Sequence, residues 1–437
     1  MKKALFFALV GILVSVFGFT TGQQMKQERP VTIQWITHPV IYAVTGEGEL
    51  FKEFTAETGI NVEVTTFPVA TLSEKIPAEF IAHSDTYDVI EFNTAYWTAD
   101  MAKFVEDLEE WHEKDPLPDG GLSDFPAGMV RQFRVPQIDS GKMCGLPHRM
   151  GVDILFYRQD LFNQAGITPP IGATSLETYY QAAKKLTQDT NGDGQTDIYG
   201  CIYQGASDET GSQDWYGWAC PFGARILVPP DWNKAGFNNE AGLNALKYRR
   251  KMYAEGIVSE GVLSWRHVDV REVMAQGLAA LSILYGPYWA QMEDPAKSKV
   301  VGKMAYGVPP RDPDIEEAHF VRGWSLFLNK YSTKKQAAWQ FMKFLTSKQA
   351  EIYQSVNHGN PPTRYSVFRS GEYNSKVPTA DAEAGTMKYG TIQPNHPEMS
   401  KIHSILSKNL SAAISGEIMP EKALEDAEQQ INALVQN

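Results

Sequence analysis

VTIQWITHPVIYAVTGEGELFKEFTAETGINVEVTTFPVATLSEKIPAEFIAHSDTYDVIEFN, residues 31–93, decides the fold. Val31, Ile33 and Trp35 alternate with polar neighbours, the period of a strand. Leu50, Phe51 and Phe54 then fall at helical spacing within 48–58, and Gly59 ends that helix. Ile60, Val62 and Val64 alternate again, 71–83 reads as a second helix, and 87–92 as a third strand. Strand, helix, strand, helix, strand is the order of an α/β unit with a parallel sheet. Ligands of such sheets bind beyond the carboxyl ends of the strands. The loops to watch therefore follow Trp35, with Thr37, His38 and Tyr42, and follow Phe92, with Asn93, Thr94, Tyr96 and Trp97.

Outward from this unit, long helical patterns recur at 174–189, 239–254, 334–350, 398–414 and 420–435. The last places Ala423, Leu424, Ala427, Ile431 and Leu434 on one face. Upstream, Met1–Lys3 is basic, 4–19 is almost wholly apolar, and Thr20–Gly22 is small: the build of a secretory signal peptide over 1–22, with an uncleaved membrane anchor as the other reading. The first cysteine is Cys144, so no lipid attachment point follows the apolar run. The expectation is a periplasmic or secreted protein. The rest, about 415 residues, is too long for one hydrophobic core, so at least two domains are expected.

Formal charge is -12, and -14 once Lys2 and Lys3 of the leader are removed. With no basic run, that balance argues against nucleic-acid binding, which needs clustered cations to neutralise phosphates. The 10 Trp, 19 Tyr and 21 Phe are mostly core by expectation, but they also allow a ring-lined cleft. Cys144, Cys201 and Cys220 lack the short spacing of a zinc site. Cys201 and Cys220 admit a disulfide in an oxidising compartment; three buried thiols is the other reading.

Several stretches resemble bacterial extracellular solute-binding proteins of the maltose-binding-protein type, family 1, the sugar- and polyol-binding components of ABC transporters. They are GKMCGLPHRMGVDILFYRQDLFNQAGI (141–167), AAKKLTQDTNGDGQTDIYG (182–200), VMAQGLAALSILYGPYW (273–289), GWSLFLNKYSTKKQAAWQFMKFLTS (323–347) and NPPTRYSVF (360–368). The tail from Pro394 to Ile431 is similar as well, and the matches keep family order. The resemblance implies a type II periplasmic-binding-protein fold: two α/β lobes joined by hinge strands, with a small carbohydrate in the cleft and permease subunits of an ABC importer as partners. It implies a monomer. The first lobe would hold 30–152 plus 309–357 and the second 153–308 plus 358–437. Crossings would fall near Met150–Ile154, Gly307–Pro310 and Asn357–Pro361.

A sugar needs flat rings against its C–H faces and multidentate hydrogen bonders for its hydroxyls. The resemblance implies Trp324, after Gly323, and one of Tyr288 and Trp289, after Gly286-Pro287, as stacking rings. Asn93, Tyr96, Trp97 and His38 lie on the loops named above, and Trp215 belongs to an aromatic patch. Core packing is the alternative for each ring. Arg364, in Pro-Pro-Thr-Arg, would grip hydroxyls or pin the hinge through backbone carbonyls. Arg149 and Asp153 flank the first crossing, where Gly151 stands in place of the family's frequent acidic residue. His403 stands where a stacking Trp is usual, which argues for a ligand shorter than a maltodextrin.

Asp189, Asn191, Asp193 and Asp197 resemble the start of a calcium loop, though Gly200 replaces the twelfth-position Glu. Their alternative is a helix-ending turn; no other cofactor is expected. The second ligand reading is a uronate or other acidic sugar derivative, which Arg149, Arg364 and His403 would suit, or a short oligosaccharide. A secreted carbohydrate-active enzyme needs two carboxylates flanking a bond, and no segment singles out such a pair.

Overall fold

The computed structural model describes residues 30–135 and 141–436; the expected signal peptide, 1–22, lies outside them. Among the described residues nine strands form two main sheets: β1 Thr32–Thr37, β2 Asn61–Thr66, β3 Val89–Asn93, β4 Leu146–Gly151, β5 Asp153–Arg158, β6 Tyr199–Cys201, β7 Ala279–Tyr285, β8 Met304–Gly307 and β9 Arg322–Leu328. The first sheet runs β2-β1-β3-β9-β4 and the second β8-β5-β7-β6. β1 pairs parallel with both β2 and β3, while β9 enters antiparallel between β3 and β4.

Local sequence explains the opening unit. Ile33, Trp35 and Ile36 are fully buried, and Trp35 meets Phe51 and Phe341 edge-on at 5.9 and 5.5 Å. The first long helix begins at Phe51 rather than Gly48, because Gly46, Glu47 and Gly48 all adopt positive φ. Gly59 closes it in the left-handed conformation expected of such a cap, φ 71°. The single helix expected over 334–350 is two, Lys335–Leu345 and Lys348–His358. Ser347 breaks the run by accepting a hydrogen bond from the amide of Ala350, as an N-cap does.

Val152 joins β4 of the first sheet to β5 of the second, and its carbonyl accepts from Gly286 N. The later crossings lie beyond their expected positions. After β8 the chain stays bonded to second-lobe residues: Arg311 bridges Ala173, and Arg225 donates to the Glu317 carbonyl. It returns to the first sheet only through His319–Arg322, not Gly307–Pro310. Likewise Ser366 still binds Asp124, so first-lobe contacts outlast Pro361. The tail helices Met399–Ser415 and Pro420–Val435 pack with Glu209–Ala219 and Glu240–Ala254, with Ala423, Leu424, Ala427 and Ile431 fully buried.

The cysteines are three buried free thiols, so the Cys201–Cys220 bridge is not formed. Cys201 Sγ instead faces Met252 Sδ at 3.5 Å. The proposed calcium loop is occupied by its own backbone. Asp189 accepts from the amides of Gly192 and Gly194, Asp193 from Gln195, Asn191 from Asp193, and Asp197 from Thr190. These are turn caps, and among the described residues no group of His, Cys, Asp and Glu is arranged to hold a metal ion.

Glu383 is buried against the hinge, holding hydrogen bonds from Thr379 and Tyr373. Burial raises its carboxyl to about 7, even though both hydrogen bonds favour the carboxylate. Its folded-state pKa thus exceeds its unfolded one. The associated stability is complete below the unfolded value and is lost as pH rises through 7. Glu383 should therefore contribute a falling slope to Tm between about pH 5 and 8 in thermal unfolding followed by circular dichroism, against the rising one contributed by buried His319 and His403, whose pKa values burial lowers to about 3 and about 4. Glu383→Gln should reduce that slope, with a difference of ~3 kcal/mol at the alkaline end. Glu351, also raised to about 7 by burial, keeps part of the slope.

Candidate ligand-binding site

Between the two sheets lies a cavity of ≈ 560 Å³. The first lobe contributes its strand ends. His38 follows β1, Asn93 ends β3 and Tyr96 follows it, and Arg149 lies on β4. Trp324 of β9 sits opposite both Asn93 and Arg149 in register, which sets the three at one level of the sheet. Gly323 makes this approach feasible: its φ is 149°, and a Cβ there would fall 2.0 Å from the Arg149 carbonyl oxygen. Asn93 Oδ1 accepts from Ala95 N, which fixes the loop that carries Tyr96.

Each sheet supplies one aromatic wall. In the first lobe the His38 and Trp324 rings pack at 5.4 Å and 38°. In the second, Tyr288 meets Tyr285 edge-on at 5.8 Å and lies nearly parallel to His267 at 6.4 Å. Burial lowers the pKa of both histidines; the next largest cause is Arg149 for His38 and Arg322 for His267. Neutral imidazoles at neutral pH are the result. Arg322, also on the cavity, is held by Asp153 at 2.5 Å. Tyr285 accounts for Gly151: a Cβ at 151 would meet the Tyr285 ring at 2.7 Å, so the family's acidic side chain has no room here.

Hydrogen-bonding groups come from the second lobe. Glu209 and Gln213 project from the start of helix Glu209–Ala219, and Gln204 and Gln393 complete the wall. Burial, then Asp208, raises the Glu209 carboxyl. Tyr96, in the opposite lobe, is raised by its own burial and then by the charge of Glu209 across the cleft. Gln393 is oriented from behind. Ser212 Oγ donates to the Glu209 carbonyl and thereby accepts from His403 Nδ1 at 2.7 Å. That tautomer leaves His403 Nε2 to accept from the Gln393 amide at 3.4 Å. Burial depresses the His403 pKa to about 4, which keeps the ring neutral for this relay.

The sequence-expected residues thus separate. His38, Asn93, Tyr96, Arg149, Tyr288 and Trp324 border the cavity. Trp97 does not: it is buried with its ring stacked on Phe327 at 4.3 Å. Trp215 is fully buried, edge-on to Phe237. Trp289 packs inward beside Asn360 and Pro361, leaving Tyr288 as the member of that pair on the cavity. Arg364 is fully buried over Phe125 and donates to the carbonyls of Thr346 and Asp119, all first-lobe residues, away from the cavity. Asp153 stands behind Arg322, and His403 behind Gln393.

Sequence reasoning missed Gln204, Glu209, Gln213, His267, Tyr285, Arg322 and Gln393. Arg322 and Tyr285 had a usable signal, each immediately before a glycine of a recognised motif. Glu209 and Gln213 had none, being polar residues of an ordinary helix start.

Fold and site together define a two-lobed binding protein with its ligand cavity at the hinge. The profile of bacterial extracellular solute-binding proteins matches residues 45–352, and the chain belongs to that family. A probable amino-acid ABC transporter periplasmic-binding protein of Sinorhizobium fredii is 22% identical over 403 residues, 88% of this chain and 85% of the relative. The mannitol-binding protein of Pseudomonas aeruginosa is 25% identical over 337 residues, 70% of this chain and 74% of the relative. The crystal structure of an ABC transporter solute-binding protein from Agrobacterium radiobacter in complex with ribitol has a TM-score of 0.73 at 25% identity. That alignment covers 92% of this chain and 98% of the other. All three are named as binding proteins, the first and the third as those of ABC transporters.

Two tryptophan variants separate cavity from core. Trp324→Ala should weaken ligand binding by about tenfold or more in calorimetric titration, since a ring stacked on a ligand is worth 1 kcal/mol or so beyond its area. Trp97→Ala should leave a folded protein with nearly unchanged affinity but cost ~3–5 kcal/mol of stability by denaturant titration. Equal effects on affinity would remove the distinction.

Proposed function

We propose that the protein captures a sugar or sugar alcohol of about monosaccharide size between its lobes and delivers it to the permease of an ABC importer. The observation that carries this reading is the cavity itself. It has an aromatic wall from each sheet, His38–Trp324 and Tyr285–Tyr288, with amide, carboxylate and guanidinium groups between them. A hexose or pentitol has this two-faced character: C–H surfaces for the rings and a periphery of hydroxyls for Asn93, Gln213, Glu209 and Gln393. The volume, ≈ 560 Å³, is in the range of small-molecule pockets and too small for a long oligosaccharide. The ribitol-bound and mannitol-binding relatives support the same class.

Because the walls belong to different lobes, ligand contacts on both sides favour the closed arrangement, with hinge rotation at Val152 and the later crossings. Export through the 1–22 leader would place the protein in the periplasm, where permease subunits can receive it. The leader would be cleaved near Gly22, and the protein would act as a monomer.

A thermal-shift screen of purified protein against sugars, polyols, sugar acids and short oligosaccharides tests the reading. A ligand at a hundred times its Kd adds about 2.7 kcal/mol of stability, a rise in Tm of about 5 °C. The response should be confined to small carbohydrates, and silence across the whole panel would overturn the proposal.

A further inference from the structure

Three guanidinium groups surround the Tyr285–Tyr288 pair at the hinge end of the cavity. Arg322 lies 5.6 Å from the Tyr285 ring and Arg271 5.1 Å from the Tyr288 ring. Arg149 borders the cavity beside them, and its positive charge is felt by both tyrosines. Of the three, Arg322 has a carboxylate partner, Asp153. Among the described residues Arg149 has none. Its Nη1 donates to the Oδ1 of Asn360 at 2.6 Å, a neutral acceptor that is itself buried and donates to the His148 carbonyl. That bond fixes the plane of the guanidinium without offsetting its charge.

The carboxylates nearby are engaged elsewhere. Glu91 is bound by Thr37 and His148, and Glu383 by Thr379 and Tyr373. Glu209, the acidic group that lines the cavity, stands at the start of its helix next to Asp208. It makes that helix start, the usual seat of a phosphate, hostile to a dianion. A half-buried cation without a counter-charge is costly, and a planar, singly charged group from the ligand would relieve that cost through paired hydrogen bonds.

We propose that the natural ligand is a sugar acid, an aldonate or uronate of pentose or hexose size, whose carboxylate rests on Arg149 at the hinge end of the cavity. The inference rests on the carbohydrate reading above and names its class. The rest of the ligand lies between the two aromatic walls, with its hydroxyls directed to Glu209, Gln213 and Gln393.

Calorimetric titration with matched pairs tests it: gluconate against sorbitol, ribonate against ribitol, and galacturonate and glucuronate against galactose and glucose. In at least one pair the acid should bind about tenfold or more tightly than its neutral partner. Its affinity should fall with added salt while the neutral partner's does not. Arg149→Gln should collapse the acid-to-neutral ratio towards one. Arg149→Lys, which keeps the charge and loses the fork, should retain part of it. Melting curves report whether each variant is folded. If Arg149→Gln does not fold, the ratio in Arg149→Lys and the salt dependence of the unaltered protein decide. A neutral partner that binds as tightly as its acid in every pair, or an unchanged ratio in the folded variants, overturns the sugar-acid assignment and leaves the carbohydrate reading standing. Silence in all pairs overturns both.

Discussion

The structure depends on one strand insertion. β9 enters antiparallel between β3 and β4, and everything at the cavity floor follows from its register. It sets Trp324 opposite Asn93 and Arg149, and it delivers Arg322 to Asp153 at the start of the second sheet. The insertion is steric as much as hydrogen-bonded. β9 passes so close to β4 that only a residue without a Cβ fits at 323, and the register shifts just after, between Trp324 and Ser325. An ion pair that spans the first crossing then ties the floor of one lobe to the edge of the other.

The cavity built on that floor is divided by chemistry. Its faces are rings, one pair per lobe, and its rim groups are amides and Glu209. Its hinge end is cationic. Burial keeps both bordering histidines neutral, so the charge there is that of the guanidiniums. Second-layer groups keep this division in place. Asn360 orients Arg149, Asp153 orients Arg322, and the Ser212–His403 relay orients Gln393. A ligand with two C–H faces and one distinctive end matches such a site better than a symmetric one.

How much of this was legible without coordinates depends on the range of the contact. β1, β2 and β3 could be read because their alternation is local, and Gly59 could be read as a cap because a left-handed residue must follow the helix. Trp324 and Tyr288 could be proposed because each follows a recognisable glycine motif. Trp97 and Trp215 could not be sorted from them, since a ring against Phe327 and a ring against a ligand have the same local sequence character. Arg364 and His403 could not be sorted for the same reason. Each is a polar residue whose partners, Thr346 and Asp119 for one and Ser212 for the other, are remote or unremarkable in sequence.

By itself the sequence determined the α/β class, the need for more than one core, and the family. These rest on periodicity, length and motif order, which are properties of the chain read in one direction. Only the tertiary structure decided the cavity's membership and its charge. Arg149, Glu209, Tyr285, Arg322 and Gln393 come together from segments far apart in the chain. Which cation lacks a counter-charge is a fact about distances in space, and no spacing along the chain encodes it.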